Sequence, residues 1–499
     1  MTVQTGICYH FSAVGKGRQE MFFGREDQME QLEALWDKRV SSLVTCRGRR
    51  RVGKSTLVEE FARRSGARFI KIEGVRPGSK TTVADELRAF ARQLARQTKA
   101  GKEPPEDWYS AFGVLDGQIS DKERTVVLLD EVSWLAYGDD TFADYLKIAW
   151  DNGLKKHDRL ILVVCGSVST WIRDNIICNR AYVGRRSLDM VVPELPLLEC
   201  VKFWGKAAAR TDVREIIDVL SVTGGIPRYL EEINPSLSAE ENIRRLAFRP
   251  KGVLREDFDE MFNDVITSRP KFTASVLRSL TDGPKCCIEV AKCLGIGKGG
   301  DVSGAMAVLE ESGFVSPECT RNPETGKEVR ERRYRLRDNY ARFYLKYIEP
   351  QKSVIDEGAF EFSSLREFEG LDAVMGLAFE NLVVNNYKYL IPHLHLDGSL
   401  IMSAGPYRRK GSKGKNGRKG CQIDLLIQTR RALCFVEVKR QGEIGRDVID
   451  QVDRQVRAIM RPRGVSAKTA LVYDGSLSPV AAADGYFDAI IPFRRLLGL

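Results

Sequence analysis

Short apolar segments alternate with helical patterns through the first 200 residues of the chain. The three clearest segments cover residues 41–47, 126–129 and 160–165, and each is bounded by polar residues. Strands that are buried on both faces of a parallel sheet have this pattern. The N-terminal part of the chain is therefore predicted to be an α/β domain.

The middle of the chain has a different pattern. Residues 199–268 are mostly helical in pattern and predict a helical lid. Three helices and a two-stranded hairpin are then predicted over residues 272–280, 288–294, 304–312, 313–315 and 333–336. This combination is typical of a winged helix. Because residues 305–309 of the third helix are small or apolar, packing against the rest of the chain is favoured over DNA reading.

The last third predicts a further α/β unit. An apolar helix over residues 375–383 contains one internal acid, Glu380. Two strands are predicted over 422–427 and 433–439, with Asp424 in the first strand and Glu437 in the second.

Composition narrows the class of protein. A length of 499 residues suggests about three domains. No apolar run is long enough for a membrane span, the first 20 residues lack the apolar region of a secretory signal, and the 11 cysteines are scattered. We therefore expect a cytoplasmic protein without membrane association or a disulfide framework.

The net charge of +10 is unevenly distributed. Residues 408–419 contain several glycines and no acid, which predicts an exposed loop. One interpretation is a solvated surface loop, and the other is a loop that contacts nucleic-acid phosphates. Its cations are Arg408, Arg409, Lys410, Lys413, Lys415, Arg418 and Lys419.

A phosphate-binding motif follows the first predicted strand. Residues 48–55 have the pattern G-x-x-x-x-G-K-S and lead into a helical segment. In such a loop, backbone N–H groups surround the β-phosphate, Lys54 reaches the β- and γ-phosphates, and the Ser55 hydroxyl binds Mg²⁺. The predicted ATP contacts are Gly48, Arg49, Arg50, Arg51, Val52, Gly53, Lys54, Ser55 and Thr56.

The second and third apolar strands also end in polar residues. Asp130 and Glu131 follow the second strand, at the edge where α/β sheets hold ligands. We expect Asp130 to hold Mg²⁺ and Glu131 to polarise the attacking water. Ser167 follows the third strand, where sensing of the γ-phosphate and capping of the next helix are both open.

The order of these motifs resembles the archaeal-type ATPases, a branch of the signalling-type (STAND) P-loop ATPases related to AAA+ proteins. The resemblance spans about residues 20–345 and rests on FFGRE at 22–26, the P-loop, LLDE at 128–131, Gly166-Ser167, YVGRR at 182–186 and GGIPRYL at 224–230. It implies that Arg25 and Pro227 lie near the adenine. It also implies that Arg185 reaches the γ-phosphate bound to a neighbouring subunit of a homo-oligomer. The alternative role of Arg185 is an ordinary ion pair on the protein surface.

A second set of reactive residues lies in the C-terminal third. Glu437 and Lys439 are two positions apart on one strand and therefore point to one face. Together with Asp424 they suit metal-assisted phosphodiester hydrolysis, in which the acids bind Mg²⁺ or Mn²⁺ and Lys439 orients or deprotonates a water. Glu380 is expected to complete the metal shell. Gln451 and Gln455 are interpreted as solvated helix residues rather than substrate contacts.

The D…E-x-K arrangement resembles the PD-(D/E)xK restriction-endonuclease-like fold, and a domain of that kind terminates many archaeal-type ATPases. Ile423 stands where that family often has a proline. The basic segment directly precedes the Asp424 strand, and this position favours contact with nucleic acid, with DNA preferred over RNA as the partner.

The expected organisation is an N-terminal extension (1–20), a P-loop ATPase core (21–198), a helical lid (199–268), a winged helix (269–350) and a nuclease-like domain (351–499). The expected function is an ATPase that controls an attached metal-dependent DNA endonuclease. One alternative is a nucleotide-switched binding or signalling protein whose nuclease-like domain does not cleave. A DNA-remodelling motor is a further alternative.

Overall fold

The computed structural model describes residues 22–38, 40–78, 80–167, 169–266, 269–297, 300–329, 332–360, 364–396, 399–411 and 420–499. The predicted N-terminal extension lies outside the described residues. So do four of the predicted nucleic-acid contacts, Lys413, Lys415, Arg418 and Lys419.

A five-stranded parallel sheet in the order β2-β3-β4-β1-β5 forms the centre of the first domain. Its strands are β1 (Ser42–Arg47), β2 (Arg68–Glu73), β3 (Thr125–Asp130), β4 (Leu160–Gly166) and β5 (Arg186–Val191). The three predicted strands are present as β1, β3 and β4. The sequence did not reveal β2 and β5, because these edge strands alternate buried with exposed or half-exposed positions.

Helices surround this sheet and complete the α/β fold. They are α1 (Glu26–Trp36), α2 (Lys54–Ser65), α3 (Val83–Gln97), α4 (Trp108–Asp116), α5 (Val132–Leu135), α6 (Phe142–Asn152) and α7 (Ser169–Ile172). Because β4 lies between β1 and β3, the carboxyl ends of these three strands bring the P-loop, Asp130 and Ser167 to one edge of the sheet.

The predicted lid segment is helical. It contains α8 (Leu197–Cys200), a kinked set of helical turns at Val201–Arg210, α9 (Val213–Thr223), α10 (Pro227–Leu230), α11 (Ala239–Ala247) and α12 (Val253–Val265).

Residues 270–348, which we call the wing module, contain three helices and a small sheet. The helices are α13 (Pro270–Arg278), α14 (Cys287–Cys293) and α15 (Gly300–Glu311), and α16 (Asn339–Phe343) follows the sheet. The strands β6 (Lys285–Cys286), β7 (Val315–Pro317) and β8 (Arg333–Leu336) pair in the order β6-β8-β7. All five predicted elements have counterparts in the described part of the module, and the two-residue strand β6 and helix α16 are additional.

A mixed sheet forms the C-terminal domain, in the order β13-β12-β11-β10-β9. Strand β10 is antiparallel to β9 and β11, whereas β11, β12 and β13 are parallel. The elements are α17 (Lys352–Asp356), α18 (Leu371–Asn385), β9 (Ile401–Arg409), β10 (Cys421–Thr429), β11 (Ala432–Ile444), α19 (Arg446–Ala458), β12 (Ser466–Leu477), α20 (Pro479–Ala483) and β13 (Ala489–Pro492).

The hydrophobic cores cross the predicted domain boundaries. Helices α11 and α12 share one core with the wing module, in which the rings of Phe258 and Tyr344 stack 4.1 Å apart. Helices α8 and α9 share another core with α18 and the C-terminal sheet. The lid segment is therefore built into both neighbouring units. Among the described residues, no helix has the length and apolar character to cross a membrane.

Candidate active sites

The P-loop connects β1 to α2 in a conformation that its sequence favours. Gly48 has φ 153°, and a Cβ at this position would lie 2.3 Å from the Val192 carbonyl oxygen. Gly53 has φ 84° and directly precedes the first residue of α2. Both positions therefore need glycine. Lys54 Nζ donates hydrogen bonds to the carbonyl oxygens of Gly48 and Arg49 at 3.1 and 3.0 Å.

A cavity of about 370 Å³ opens beside this loop. Its volume falls within the range of about 300–1,000 Å³ that is usual for ligand sites. The predicted residues that line it are Arg25, Arg50, Arg51, Val52, Gly53, Lys54, Ser55, Thr56, Asp130, Glu131 and Pro227. The structure thus brings most of the predicted nucleotide contacts together.

The acids after β3 adopt distinct positions. Asp130 is buried at the end of the strand, and Glu131 follows it in the left-handed region with φ 47°. The Glu131 carboxylate accepts hydrogen bonds from the Ser167 hydroxyl at 2.7 Å and the Ser167 N–H at 3.3 Å. Ser167 therefore holds the candidate water-activating residue, a contact that neither of its two predicted roles included.

Several cavity residues were not recognised in the sequence. Lys71 on β2 lies 3.4 Å from the Asp130 carboxylate and 3.0 Å from that of Glu59, and Glu73 also faces the cavity. Trp134 and Phe203 also line the cavity. Nothing in the sequence indicated that these residues line the cavity. Lys71 and Glu73 lie on β2, which was not predicted, and Phe203 comes from the lid segment, which is distant in the chain.

Ser55 and Asp130 fit the expected magnesium ion of the nucleotide site. Both line the cavity, and a hydroxyl and a carboxylate supply the oxygen ligands that Mg²⁺ takes. These two residues would hold the ion, which neutralises phosphate charge when it is bound.

The far end of the cavity is apolar. Phe22, Phe23, Leu195, Phe203 and Pro227 line it, and the rings of Phe23 and Phe203 meet edge to face at 5.0 Å. This end suits a purine base. Arg25, which was expected near the base, donates to the carbonyl oxygens of Val52 at 2.8 Å and Pro193 at 2.7 Å, and therefore braces the P-loop.

Two P-loop arginines form ion pairs outside the ATPase sheet. Arg51 binds the Asp257 carboxylate of α12 through Nε at 2.9 Å and Nη2 at 2.7 Å. Arg49 pairs with Asp338 at the N-terminus of α16, and both side chains are buried. Burial lowers the pKa of the Arg49 guanidinium, but the nearby Asp338, Tyr229, Glu194 and Tyr340 together raise it above its usual value. Burial also raises the pKa of the Asp338 carboxyl, and the Arg49 charge opposes that shift.

The predicted trans-acting Arg185 is engaged within its own chain. Its Nε and Nη2 contact the Asp151 carboxylate at 2.8 Å each, and Nη1 donates to the Ala181 carbonyl oxygen at 2.7 Å. Arg185 does not line the nucleotide cavity. Its proposed action on a neighbouring subunit stays a prediction and would require release from Asp151.

The C-terminal acids converge at β10 and β11. Lys439 Nζ lies 2.6 Å from Glu437 Oε1, which confirms that these side chains share a face. Glu437 also accepts hydrogen bonds from Gln451 Nε2 at 2.7 Å and Gln455 Nε2 at 3.0 Å. The interpretation of these glutamines as solvated residues was wrong, because α19 packs directly on this face of the sheet.

Asp424 and Glu380 lie near this group. The Asp424 carboxylate accepts a hydrogen bond from the Val438 N–H at 3.0 Å. Burial raises the pKa of Asp424 well above its usual range, and the charges of Glu437 and Glu380 add to the effect. Burial also raises the pKa of Glu380, although the charge of Lys439 opposes this shift.

Asp424 and Glu380 face a small, partly open pocket that we call the acidic chamber. Its volume is about 40 Å³, which holds a few water molecules but no nucleotide. One wall comes from α18, β9 and β10, and includes Arg408. The opposite wall belongs to the wing module and consists of Pro284, Glu318, Arg335 and Arg342.

The predicted metal shell of the nuclease-like site does not fit this conformation. Carboxylates are suitable ligands, but the described residues contain no group of three or more acid, histidine or cysteine side chains placed to share an ion. The Glu437 carboxylate is already occupied by Lys439, Gln451 and Gln455.

The described part of the basic segment differs from the predicted loop. Arg408 and Arg409 belong to strand β9. Arg409 pairs with Glu324 of the wing module at 2.7 Å, and Lys410 pairs with Glu289 of the same module. These cations therefore fasten the β9–β10 hairpin to the wing module, and their contact with nucleic acid stays a prediction.

Comparison with known proteins agrees with the nucleotide site. The fold and the site define a P-loop ATPase. More specifically, residues 22–233 match the model of a family described as an ATPase domain predominantly from Archaea, so the chain contains an ATPase domain of the archaeal type.

The chain is also similar to curated proteins. An uncharacterised protein of Methanocaldococcus jannaschii is 23% identical over 438 residues, which are 86% of this chain and 89% of that protein. An uncharacterised ATP-binding protein of the same organism is 42% identical over 41 residues, which are 8% of this chain and 70% of that protein. The first similarity extends well beyond the ATPase domain.

The chain is also similar in part to solved structures. A Walker-type ATPase of Pyrococcus abyssi is 17% identical, with a TM-score of 0.48 and coverage of 67% of this chain and 99% of that one. The ORC2 protein of Aeropyrum pernix is 14% identical, with a TM-score of 0.38 and coverage of 67% and 94%.

The buried Arg49–Asp338 pair predicts a large loss of stability in Asp338→Ala. This change leaves the Arg49 charge buried without its partner, which costs about 3–5 kcal/mol. The midpoint of urea unfolding, followed by tryptophan fluorescence, measures the loss. The matched control is Asp356→Ala, which removes an exposed partner of Arg255 and should cost at most about 1 kcal/mol. Equal unfolding midpoints for the two variants would contradict the stabilising role of the Arg49–Asp338 pair.

Proposed function

We propose that the chain is an ATPase that controls phosphodiester cleavage by its C-terminal domain, with DNA as the substrate. The observation that carries this proposal is the convergence of Asp424, Glu437 and Lys439 on adjacent strands, with Glu380 on α18 beside them. The charges of these groups influence one another, and such clusters of perturbed acids are typical of catalytic sites.

The small size of the chamber supports control of this activity by conformation. A phosphodiester does not fit beside Asp424 and Glu380 while Arg335 and Arg342 also line this space of about 40 Å³. We infer that the described conformation is inactive, and that the wing module, interpreted as a winged helix, moves away before cleavage. The metal-binding arrangement would form only in the opened conformation.

The nucleotide site supports ATP as the controlling ligand. Arg49 and Arg51 extend from the P-loop to Asp338 and Asp257, so the loop that binds phosphate is tied to the wing module and α12. A change of the P-loop on ATP binding or hydrolysis would alter both ties, and the chamber wall with them.

A nucleotide-switched binding protein is the second candidate. The full occupation of Glu437 by Lys439, Gln451 and Gln455 favours it, because the same contacts would also stabilise a C-terminal domain that never binds a metal. In that case the domain would hold nucleic acid or a partner without cleaving it.

The test of the proposal is cleavage of plasmid and linear DNA with Mg²⁺ or Mn²⁺, with and without ATP. We expect cutting by the unchanged protein and its loss in Glu437→Gln, because the substitution removes the charge of the central acid. Glu443→Gln, an exposed position on the same strand, is the matched control.

Lys54→Ala separates the roles of the two sites. We expect it to lose ATP hydrolysis and to make the level of cutting independent of ATP. DNA binding without cutting under every condition would contradict the nuclease proposal and favour the binding protein. If the protein cut RNA but not DNA, the proposed substrate would be wrong.

Loosening the wing module should increase cleavage. The double change Glu289→Ala and Glu324→Ala removes the partners of Lys410 and Arg409, and should raise DNA cutting in the absence of ATP. The matched control is Asp282→Ala with Glu349→Ala, which removes one ion pair inside the module and one between the module and the residue that follows it. Equal cutting by both double variants would contradict the closing role of the wing module.

A further inference from the structure

Three consecutive arginines of the P-loop have different surroundings. Arg49 points to Asp338 and Arg51 to Asp257, so these two reach the wing module and the lid segment. Arg50, between them, lines the nucleotide cavity. The groups around Arg50 in this cavity indicate the role of the third cation.

Arg50 lies near Trp134 and Glu131, which also line the nucleotide cavity. Its guanidinium is 5.8 Å from the centroid of the Trp134 ring, and Trp134 is three residues after Glu131. Burial lowers the pKa of Arg50 and the Arg51 charge adds to this, whereas the nearby Glu131 charge opposes it. Glu131 is the candidate for positioning the attacking water, and Lys54 marks the β- and γ-phosphates.

We propose that Arg50 is a catalytic residue of ATP hydrolysis that contacts the γ-phosphate bound in its own chain. Arg50 lines the cavity together with Lys54, Asp130, Glu131 and Trp134, which include the groups expected around the phosphates, whereas the apolar part of the lining suits the base. Arg50 therefore supplies in the same chain the charge that Arg185 was expected to supply from a neighbour.

The reaction step gives this cation a defined role. The water oxygen forms a bond to the γ-phosphorus while the bond from that phosphorus to the β–γ bridging oxygen breaks. The bridging electron pair leaves with ADP, and one proton of the water passes to the Glu131 carboxylate and then to solvent as phosphate departs. Arg50 donates N–H hydrogen bonds to the non-bridging γ-oxygens, whose charge develops during this step.

The environment of Arg185 agrees with this assignment. Its guanidinium makes a two-point contact with Asp151, and Lys147 lies 3.1 Å from the same carboxylate. A trans-acting role would break this ion pair in every catalytic cycle. Arg50 belongs to the lining of the nucleotide cavity in its own chain.

The test compares Arg50→Met, Arg50→Lys and Arg185→Met in the full chain. We expect Arg50→Met to lower kcat by about 10²–10³-fold, which is the usual effect of removing one donor to a developing oxyanion. Its Kd for fluorescent ADP should stay within about twofold of the unchanged protein, while its affinity for the transition-state mimic ADP–aluminium fluoride should fall by a similar 10²–10³-fold. A residue needed only for folding would lower both affinities together.

Two further readouts keep the proposal falsifiable. Specific activity of the unchanged protein should not depend on protein concentration, and Arg185→Met should keep kcat. If Arg50→Met does not fold, Arg50→Lys decides, because a point charge without the planar guanidinium should still lose affinity for ADP–aluminium fluoride relative to ADP. Full kcat in either Arg50 variant, equal loss of both affinities, or a concentration-dependent activity that Arg185→Met abolishes would overturn the proposal.

Discussion

The buried ion pair between Arg49 and Asp338 is the contact on which the relation between the ATPase domain and the rest of the chain depends. One charge belongs to the phosphate-binding loop and the other to the residue that begins α16. Neither charge could stay buried without the other, since an isolated charge in this position would be strongly unfavourable. The position of the P-loop and that of the wing module are therefore fixed together, and the Arg51 pair with Asp257 adds a second constraint of the same kind.

Hydrogen bonds from the chain neighbour of Asp338 reach the helix that lines the acidic chamber. Asn339, the neighbour of Asp338, donates to the Ala378 carbonyl oxygen of α18 at 3.0 Å. Asn381 on the same helix donates to the Leu336 carbonyl oxygen at 2.8 Å and to Asn339 Oδ1 at 3.0 Å. Glu380 lies between these two positions on α18. The helix that carries a chamber acid is thus bonded to the segment that Arg49 holds, which gives the proposed control by ATP a physical route.

Site residues could be predicted from the sequence where a strand pattern and a motif of reactive residues occur in the same segment. The P-loop, Asp130 and the Glu437–Lys439 pair each combine a strand with a fixed residue spacing, and all of them lie where the pattern indicated. The edge strands β2 and β5 were missed because half-exposed strands mix polar and apolar residues, and Lys71 was missed with them.

Contacts between distant segments could not be predicted from a single sequence. The Arg49–Asp338 pair joins residues far apart in the chain, and Gln451 gains its role only when α19 packs over Glu437. Arg408 and Arg409 were placed in a loop because the cationic composition of the segment concealed the end of β9. Composition indicates exposure, but it does not show where strand pairing ends.

The most direct measurement of the account is amide hydrogen exchange of the full chain with and without ATP, using Glu131→Gln to slow hydrolysis. We expect altered exchange in residues 333–343 and 371–385 when ATP binds, because the P-loop is tied to both segments through Arg49, Asp338 and Asn339. The Lys54→Ala protein should show no such change. Exchange altered only within residues 22–233 would contradict the account.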